Sequence, residues 1–259
     1  NTTILKLNIA RGYRAPTVSE LASNGTHEGT NRYEYGDPNL RSETSLQIDA
    51  GLEYNNDHIG FSFTGFYNNI ANYIFYSKLA NKAGTDSLVH INGEDLTAFT
   101  FRQSGASLIG FEARFDVHPH PLDWLHFENT FSVVSGRFNN AIDGSNHIPF
   151  MPPAKLQSEL RADIKKWKTF RDAYVKIELD QTANQKTIFT GFDTETITPG
   201  YSLLHIGIGG SIAIRDKTAF SFALTANNIT DVAYQSHLSR LKYTALNTVS
   251  GRMGVFDMG

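Results

Sequence analysis

Apolar and polar residues alternate one by one along most of this chain, and that period constrains its fold more than any other feature. A period of two places successive side chains on opposite faces of an extended backbone, whereas the 3.6-residue period of helices is nearly absent. Leu46, Ile48, Ala50, Leu52 and Tyr54 fall on one face, opposite Gln47, Asp49, Gly51 and Glu53. Leu156, Leu160, Ala162 and Ile164 oppose Lys155, Gln157, Glu159, Arg161 and Asp163; Ala173, Val175, Ile177 and Leu179 oppose Tyr174, Lys176, Glu178 and Asp180. Further strands are expected over Leu5–Ile9, Ile59–Tyr73, Phe99–Val117, Leu125–Val133, Leu204–Ile214 and Phe220–Ala226. Several exceed the roughly 5–6 residues usual in soluble sheets.

The connections between these segments alternate between short and long. Asn55 to Asp57, His118 to Pro121, Lys165 to Phe170 and Asp216-Lys217 are tight, while Arg11–Thr44, Ser77–Leu96, Gly136–Pro153, Thr182–Pro199 and Asn228–Ser250 are long. One end of the sheet therefore carries turns and the other carries loops. Greek-key links in a soluble sandwich have no reason to sort this way, whereas outer-membrane barrels combine short periplasmic turns with long outer loops. The fold expected is all-β, an antiparallel transmembrane β-barrel.

Composition supports an ordered chain and narrows its partners. The 259 residues are 40% hydrophobic and 12% aromatic, which excludes disorder. A net charge of −3 with scattered basic residues gives no footprint for nucleic acid. Cysteine is absent, so disulfides and thiolate metal sites are excluded. No stretch approaches the roughly 18 apolar residues of a spanning helix, so a membrane would be crossed by strands. The opening Asn1-Thr2-Thr3 shows no signal peptide, and the natural N-terminus is expected to lie upstream. There is no Gly-x-Ser-x-Gly elbow, His-Glu-x-x-His, phosphate-cradling loop or cysteine nucleophile, so no enzymatic activity and no cofactor are expected.

Desolvation assigns the faces. An unpaired charge facing hydrocarbon is costly and one facing a wet lumen is not, so the Leu156/Val175/Ile177 face is expected to meet lipid and the Arg161/Lys176/Glu178 face to line the interior. Trp124 and Trp167 at the short-turn end, and Tyr73, Phe75 and Tyr76 at the far end of their strand, are candidates for two interfacial aromatic belts.

Gly12-Tyr13-Arg14-Ala15-Pro16-Thr17 with Ser19-Glu20-Leu21, then Gly36-Asp37-Pro38-Asn39-Leu40 with Glu43-Thr44-Ser45, resemble the paired signatures of TonB-dependent receptors. Gln103 to Glu112 resembles an inner stretch ending in Gly-x-Glu, and Asn227-Asn228-Ile229-Thr230-Asp231 with Tyr234 resembles the Asn-Leu-Phe-Asp motif after the penultimate barrel strand. The resemblance implies that residues 1–259 are the C-terminal portion of such a barrel, an arc of its 22 strands. The plug domain, the N-terminal strands and the last strand would lie outside them. It also implies a bacterial outer-membrane location, contact with outer-membrane lipid, and energy from the TonB-ExbB-ExbD complex through the N-terminal region. The cargo would be a small metal chelate, foremost an iron siderophore or haem, with zinc or cobalamin as alternatives. A non-transporting outer-membrane barrel (adhesin or hydrolase) and a soluble β-sandwich binding module remain the other classes.

Within the signatures, Pro16 fixes its own φ, Arg14 can pair with a carboxylate, and Pro38 anchors the return into the next strand. Arg14, Pro16, Glu20, Pro38, Asn39, Glu43, Asn228 and Asp231 are accordingly expected to be scaffold. The loop between the signatures carries His27, Glu28, Arg32 and Tyr33 as ligand-binding candidates, with His27 a candidate metal ligand. A histidine there resembles the haem receptors, and Gly-x-His with Tyr-Glu-x-Gly-Asp resembles the zinc receptors equally well. His147 and His237 on other long loops would join His27 only if those loops fold together. His118 and His120, flanking Pro119 at a short turn, sit at the wrong end for capture.

Overall fold

Each of the nine alternating segments is a strand, and most run longer than the alternation alone delimits. The computed structural model describes every residue except 28–31, 192–193, 216, 244–245, 248–251, 255 and 258–259. In chain order the elements are β1 (Thr2–Arg14), α1 (Val18–Ala22), β2 (Asn24–His27), β3 (Arg32–Tyr35), β4 (Glu43–Asn55), β5 (Ile59–Lys78), β6 (Leu88–Ile91) and β7 (Glu94–Val117). There follow β8 (Leu125–Ile142), β9 (Ser145–His147), β10 (Lys155–Trp167), β11 (Phe170–Thr182), β12 (Tyr201–Ile214), β13 (Lys217–Ala226), β14 (Leu246–Asn247) and β15 (Arg252–Met253). A 13-residue strand such as β10 reaches about 43 Å, and tilted by about 45° it spans the roughly 30 Å of a hydrocarbon core.

Thirteen strands join in one sheet whose continuous path is β1-β4-β5-β7-β8-β10-β11-β12-β13, every neighbour antiparallel. The sheet is an unclosed arc with β1 and β13 outermost. Among the described residues the other sheet is the two-residue pair β14-β15, too small to face the arc as the second layer of a β-sandwich. The sequence turns fall at 56–58, 118–124, 168–169 and 215–216, all at one end; the connection predicted over Lys165 to Phe170 is tighter than expected because β10 continues to Trp167.

The wall is inside out relative to a soluble sheet. Leu160 lies opposite Ile177 in register, and both are exposed, as are Val175, Ile206, Ile208 and Leu224. On the other face Arg161 lies opposite Lys176 and Glu159 opposite Glu178. Lys176 Nζ donates to Glu159 and Glu178 at 2.8 Å each, and Arg114 Nη2 donates to Glu128 at 2.6 Å. Tyr174 lies over Gly209, where an added Cβ would come within 2.5 Å of the ring, and the Arg161 guanidinium sits 4.2 Å from the Tyr174 centroid. Charges thus pair across strands on the inner face, and the outward positions Leu160, Val175, Ile177, Ile206 and Ile208 are apolar, which matches the assignment of lipid and lumen.

The buried hydrophobic cluster lies outside the wall, among the loops: Phe75, Ala106, Phe138, Ile148, Met151 and Phe189. This corrects the expected second belt. Phe75 is only 4% exposed, Tyr73 packs against the same cluster, and Tyr76 stacks on Phe99 with centroids 4.7 Å apart. The cause is a bulge: pairing of β5 with β7 shifts by one residue between Ile70 and Tyr73, where Asn72 takes a φ of 58°. Trp124 and Trp167 are exposed at the short-turn end, where a belt was expected. The long loops also contain structure that alternation did not reveal, because β7 and β8 project beyond the wall, β7 offering edges to β6 and β3 and β8 to β9.

Val175→Arg is expected to destabilise the protein in lipid vesicles by about 2–4 kcal/mol, with Val175→Leu near neutral. Denaturant unfolding checks this, and equal stability of the two variants would overturn the face assignment.

Candidate ligand-binding loops

The outer ends of β1 and β4 are tied by one guanidinium. Arg14 donates through Nε and Nη2 to both oxygens of Glu43 at 2.8 Å, and through Nη1 to Glu20 at 2.9 and 3.0 Å. Glu43 also accepts the Ile74 N–H at 2.6 Å, which brings β5 into the knot. Glu20 is in place because Thr17 and Glu20 form a capping box at the start of α1, a Thr-x-x-Glu signal that alternation hides. Asp37 N–H donates to Glu20 O at 2.8 Å and Gly36 N–H to Ser23 O at 2.7 Å, closing the segment back on the helix. A Cβ at Gly36 would lie 2.5–2.7 Å from backbone atoms of Leu21, Ala22 and Ser23, so only glycine fits. Asn39 N–H donates to the Asp37 carboxylate beside Pro38.

Between the two signatures, β2 and β3 form a hairpin, and β3 pairs in parallel with β7. Arg32 is turned inward, 5% exposed, its guanidinium 4.4 Å from the Phe99 centroid and 5.8 Å from that of Tyr76. Tyr76 in turn donates to Glu34 at 2.8 Å. Tyr33 donates to Asn24 across the hairpin at 2.8 Å. His27 is the last residue of β2, at the tip, and Glu28 lies outside the described residues.

A third carboxylate, Glu195, gathers three other loops. Its Oε1 accepts from Phe150 N–H at 2.5 Å and lies 3.1 Å from His237 Nε2, while Oε2 accepts from Phe189 N–H at 2.7 Å. The other His237 nitrogen is 2.7 Å from Thr198 Oγ1, which also accepts from Lys242 Nζ at 2.7 Å. Lys242 further donates to the Thr196 and Ile197 carbonyls. His237 and Glu195 have no exposed side-chain surface. His147, half-buried, pairs in β9 opposite Arg137. The loops of His147 and His237 therefore do come together, on Glu195, but in a closed polar core. Glu195, Thr198 and Lys242 carry no pattern of their own in the sequence.

Asn228 turns the chain back at the end of β13. Its side chain bonds both the N–H and the carbonyl of Val232 at 3.0 Å, Asp231 N–H donates to Asn228 O, and Tyr234 packs on Tyr201 with centroids 4.4 Å apart. Among the described residues, one group of three metal-capable side chains converges, Asp116, His118 and His126, and it lies at the short-turn end.

The family profile described as TonB dependent receptor-like, beta-barrel matches residues 1–229. The chain belongs to the TonB-dependent receptor family. This places it in the bacterial outer membrane. Solved structures with the same fold include the copper transporter OprC, at TM-score 0.69 and 16% identity, covering 91% of this chain and 32% of that one. The siderophore receptor PirA from Acinetobacter baumannii follows at 0.59 and 18%, covering 92% and 36%. A mutant of the ferric enterobactin receptor PfeA from Pseudomonas aeruginosa is similar at 0.57 and 18%, covering 97% and 35%. The chain thus spans about a third of the length of these TonB-dependent receptors.

Two outcomes follow for this receptor arc. Gly36→Ala should speed limited proteolysis between residues 15 and 42 severalfold without altering the wall's hydrogen exchange; unchanged cleavage would contradict the close approach at Gly36. Burial lowers the Lys242 ammonium to about 8, with Glu195 pulling the other way. A lysine that binds its proton more weakly when folded costs stability at neutral pH, and that cost is relieved as pH rises from about 8 towards the ordinary value of 10.5. The loop core is therefore expected to melt later at pH 9.5 than at pH 7.5, a difference that Lys242→Met should remove in thermal unfolding.

Proposed function

We propose that residues 1–259 form the C-terminal wall and outer loops of an importer of a small metal chelate, an iron siderophore or haem foremost. The observation that carries this reading is the contrast between the two ends of the sheet: bare turns on one side, and on the other a folded assembly of loops held by Arg14 and Glu195. Such an assembly is preorganised for capture, which lowers the ordering cost of binding. The neighbouring siderophore receptors and copper transporter support the metal-chelate class. No chemistry on the cargo is proposed.

In this reading the outer loops take up the chelate, and the TonB-ExbB-ExbD complex, acting through a plug and an N-terminal segment upstream of these residues, opens the lumen. The β2–β3 hairpin, with His27, Glu28 and Tyr33, is the proposed contact. Arg32 and His237 serve as loop scaffold, as do Arg14, Pro16, Glu20, Pro38, Asn39, Glu43, Asn228 and Asp231. Zinc or cobalamin import remains the second reading, since the hairpin histidine suits either.

Deletion of residues 24–32 in the full receptor should abolish uptake, and the His27→Ala/Glu28→Ala double variant, which keeps Arg32 on Phe99, should reduce it at least tenfold. Uptake of radiolabelled iron siderophore and haem by cells with equal surface expression is the measurement. Unchanged uptake in both variants would remove this hairpin from capture, and growth restored by zinc or cobalamin alone would reassign the cargo.

A further inference from the structure

The short-turn end, expected from sequence to be uninvolved, holds four of the nine histidines: His58, His118, His120 and His126. Two of them share an acidic partner. Asp116 and His126 lie on the inner face with Arg114 and Glu128, and the β7–β8 register, in which Val117 faces Phe127, brings His118 across from His126. The ring centroids of His118 and His126 are 5.2 Å apart. One ligand atom from each of Asp116, His118 and His126 falls within 4.8 Å of the others.

Two atoms in this cluster are desolvated and make no hydrogen bond. Asp116 Oδ1 and His118 Nδ1 are both buried and hydrogen-bonded to nothing in the protein, although they face each other at 3.5 Å. Buried polar atoms are nearly always satisfied, so a pair left bare beside a second imidazole calls for a partner that both can hold. A cation bonded to both fulfils this, because a carboxylate oxygen and a neutral ring nitrogen are each donors of an electron pair. The 3.5 Å gap is already close to the roughly 3.3 Å between ligand atoms around a tetrahedral ion with bonds of about 2.0 Å.

His126 is oriented as a ligand would be. Its Nε2 lies 3.4 Å from Asp163 Oδ2, and the other Asp163 oxygen accepts from Arg161 Nε at 2.9 Å. A carboxylate behind a histidine fixes the ring and its tautomer, so the His126 ring is held in place beside the cluster. Beside it opens a cleft of about 480 Å³ whose lining includes His126, Asp163, Trp124 and Asp123.

We infer that Asp116, His118 and His126 form a binding site for a divalent transition-metal ion of the zinc class at the periplasmic mouth of the lumen, with Asp163 as the positioning residue of His126. Two imidazoles and one carboxylate, without thiolate, suit zinc, copper, nickel or cobalt and not calcium or magnesium, which prefer all-oxygen shells. The three ligands leave a fourth position open to water or to a passing donor. The site rests on one hairpin and is independent of what the outer loops capture.

The test uses the full-length, tag-free receptor in detergent, titrated with zinc alone by calorimetry and with cobalt alone by visible absorption. One equivalent of zinc is expected, with a cobalt spectrum of low coordination number that zinc abolishes. His118→Ala and His126→Ala should each weaken zinc at least tenfold, Asp116→Asn should do likewise, and Asp163→Asn should weaken it while leaving one equivalent. Retained heat-dependent gel mobility shows that each variant keeps its barrel. His90→Ala, altering an exposed outer-loop histidine paired with Asp95, should change nothing. Zinc binding unaltered in the His118→Ala/His126→Ala variant, or lost instead in His58→Ala/His120→Ala, would overturn the assignment.

Discussion

A charge that faces hydrocarbon without a partner is so costly that it sorts every wall strand of this protein into two faces. Leu160, Val175, Ile177, Ile206 and Ile208 stand exposed on one side, while Lys176, Glu159, Glu178, Arg114 and Glu128 pair across strands on the other. The backbone obeys the same logic, since each wall strand between β1 and β13 pairs with a neighbour on both sides. With lipid as solvent, apolar side chains on the wall need no core. The hydrophobic cluster is accordingly displaced to the loops, where water returns and burial is again favourable.

Above the wall, two polar knots organise what apolar area alone does not. Glu43 and Glu20 share one guanidinium, a planar fork that fixes direction as well as distance, and so joins β1, β4 and α1 in one geometry. Glu195 takes N–H groups from two loops and a histidine from a third. Loops held this way have little freedom left to lose when a ligand arrives, which links the packing of the outer face to its proposed role. The short-turn end has no comparable assembly, and its Asp116, His118 and His126 stand close with polar atoms unsatisfied.

Much of this was legible in the sequence. The nine wall strands, the sorting of turns from loops and the two faces follow from alternation, because a strand's side-chain period is fixed by backbone geometry. The pairing of Arg14 with a carboxylate was legible in kind. Hidden from that reading were the one-residue bulge at Asn72, which turns Phe75 inward and removes the expected belt, and the strands β3, β6 and β9, which exist only because longer strands offer them an edge. His118 was set aside as misplaced. Its equal distance from the hairpin centre with His126 was the available signal.

The sequence by itself determined the wall: period, length and the separation of charge from oil are local properties, written residue by residue. Only the tertiary structure decided which distant side chains meet. Arg32 lies on Phe99, His237 is enclosed by Glu195 and Thr198, and His118 stands beside Asp116 and His126. Those meetings depend on loop paths and strand register over tens of residues, and no local period encodes them.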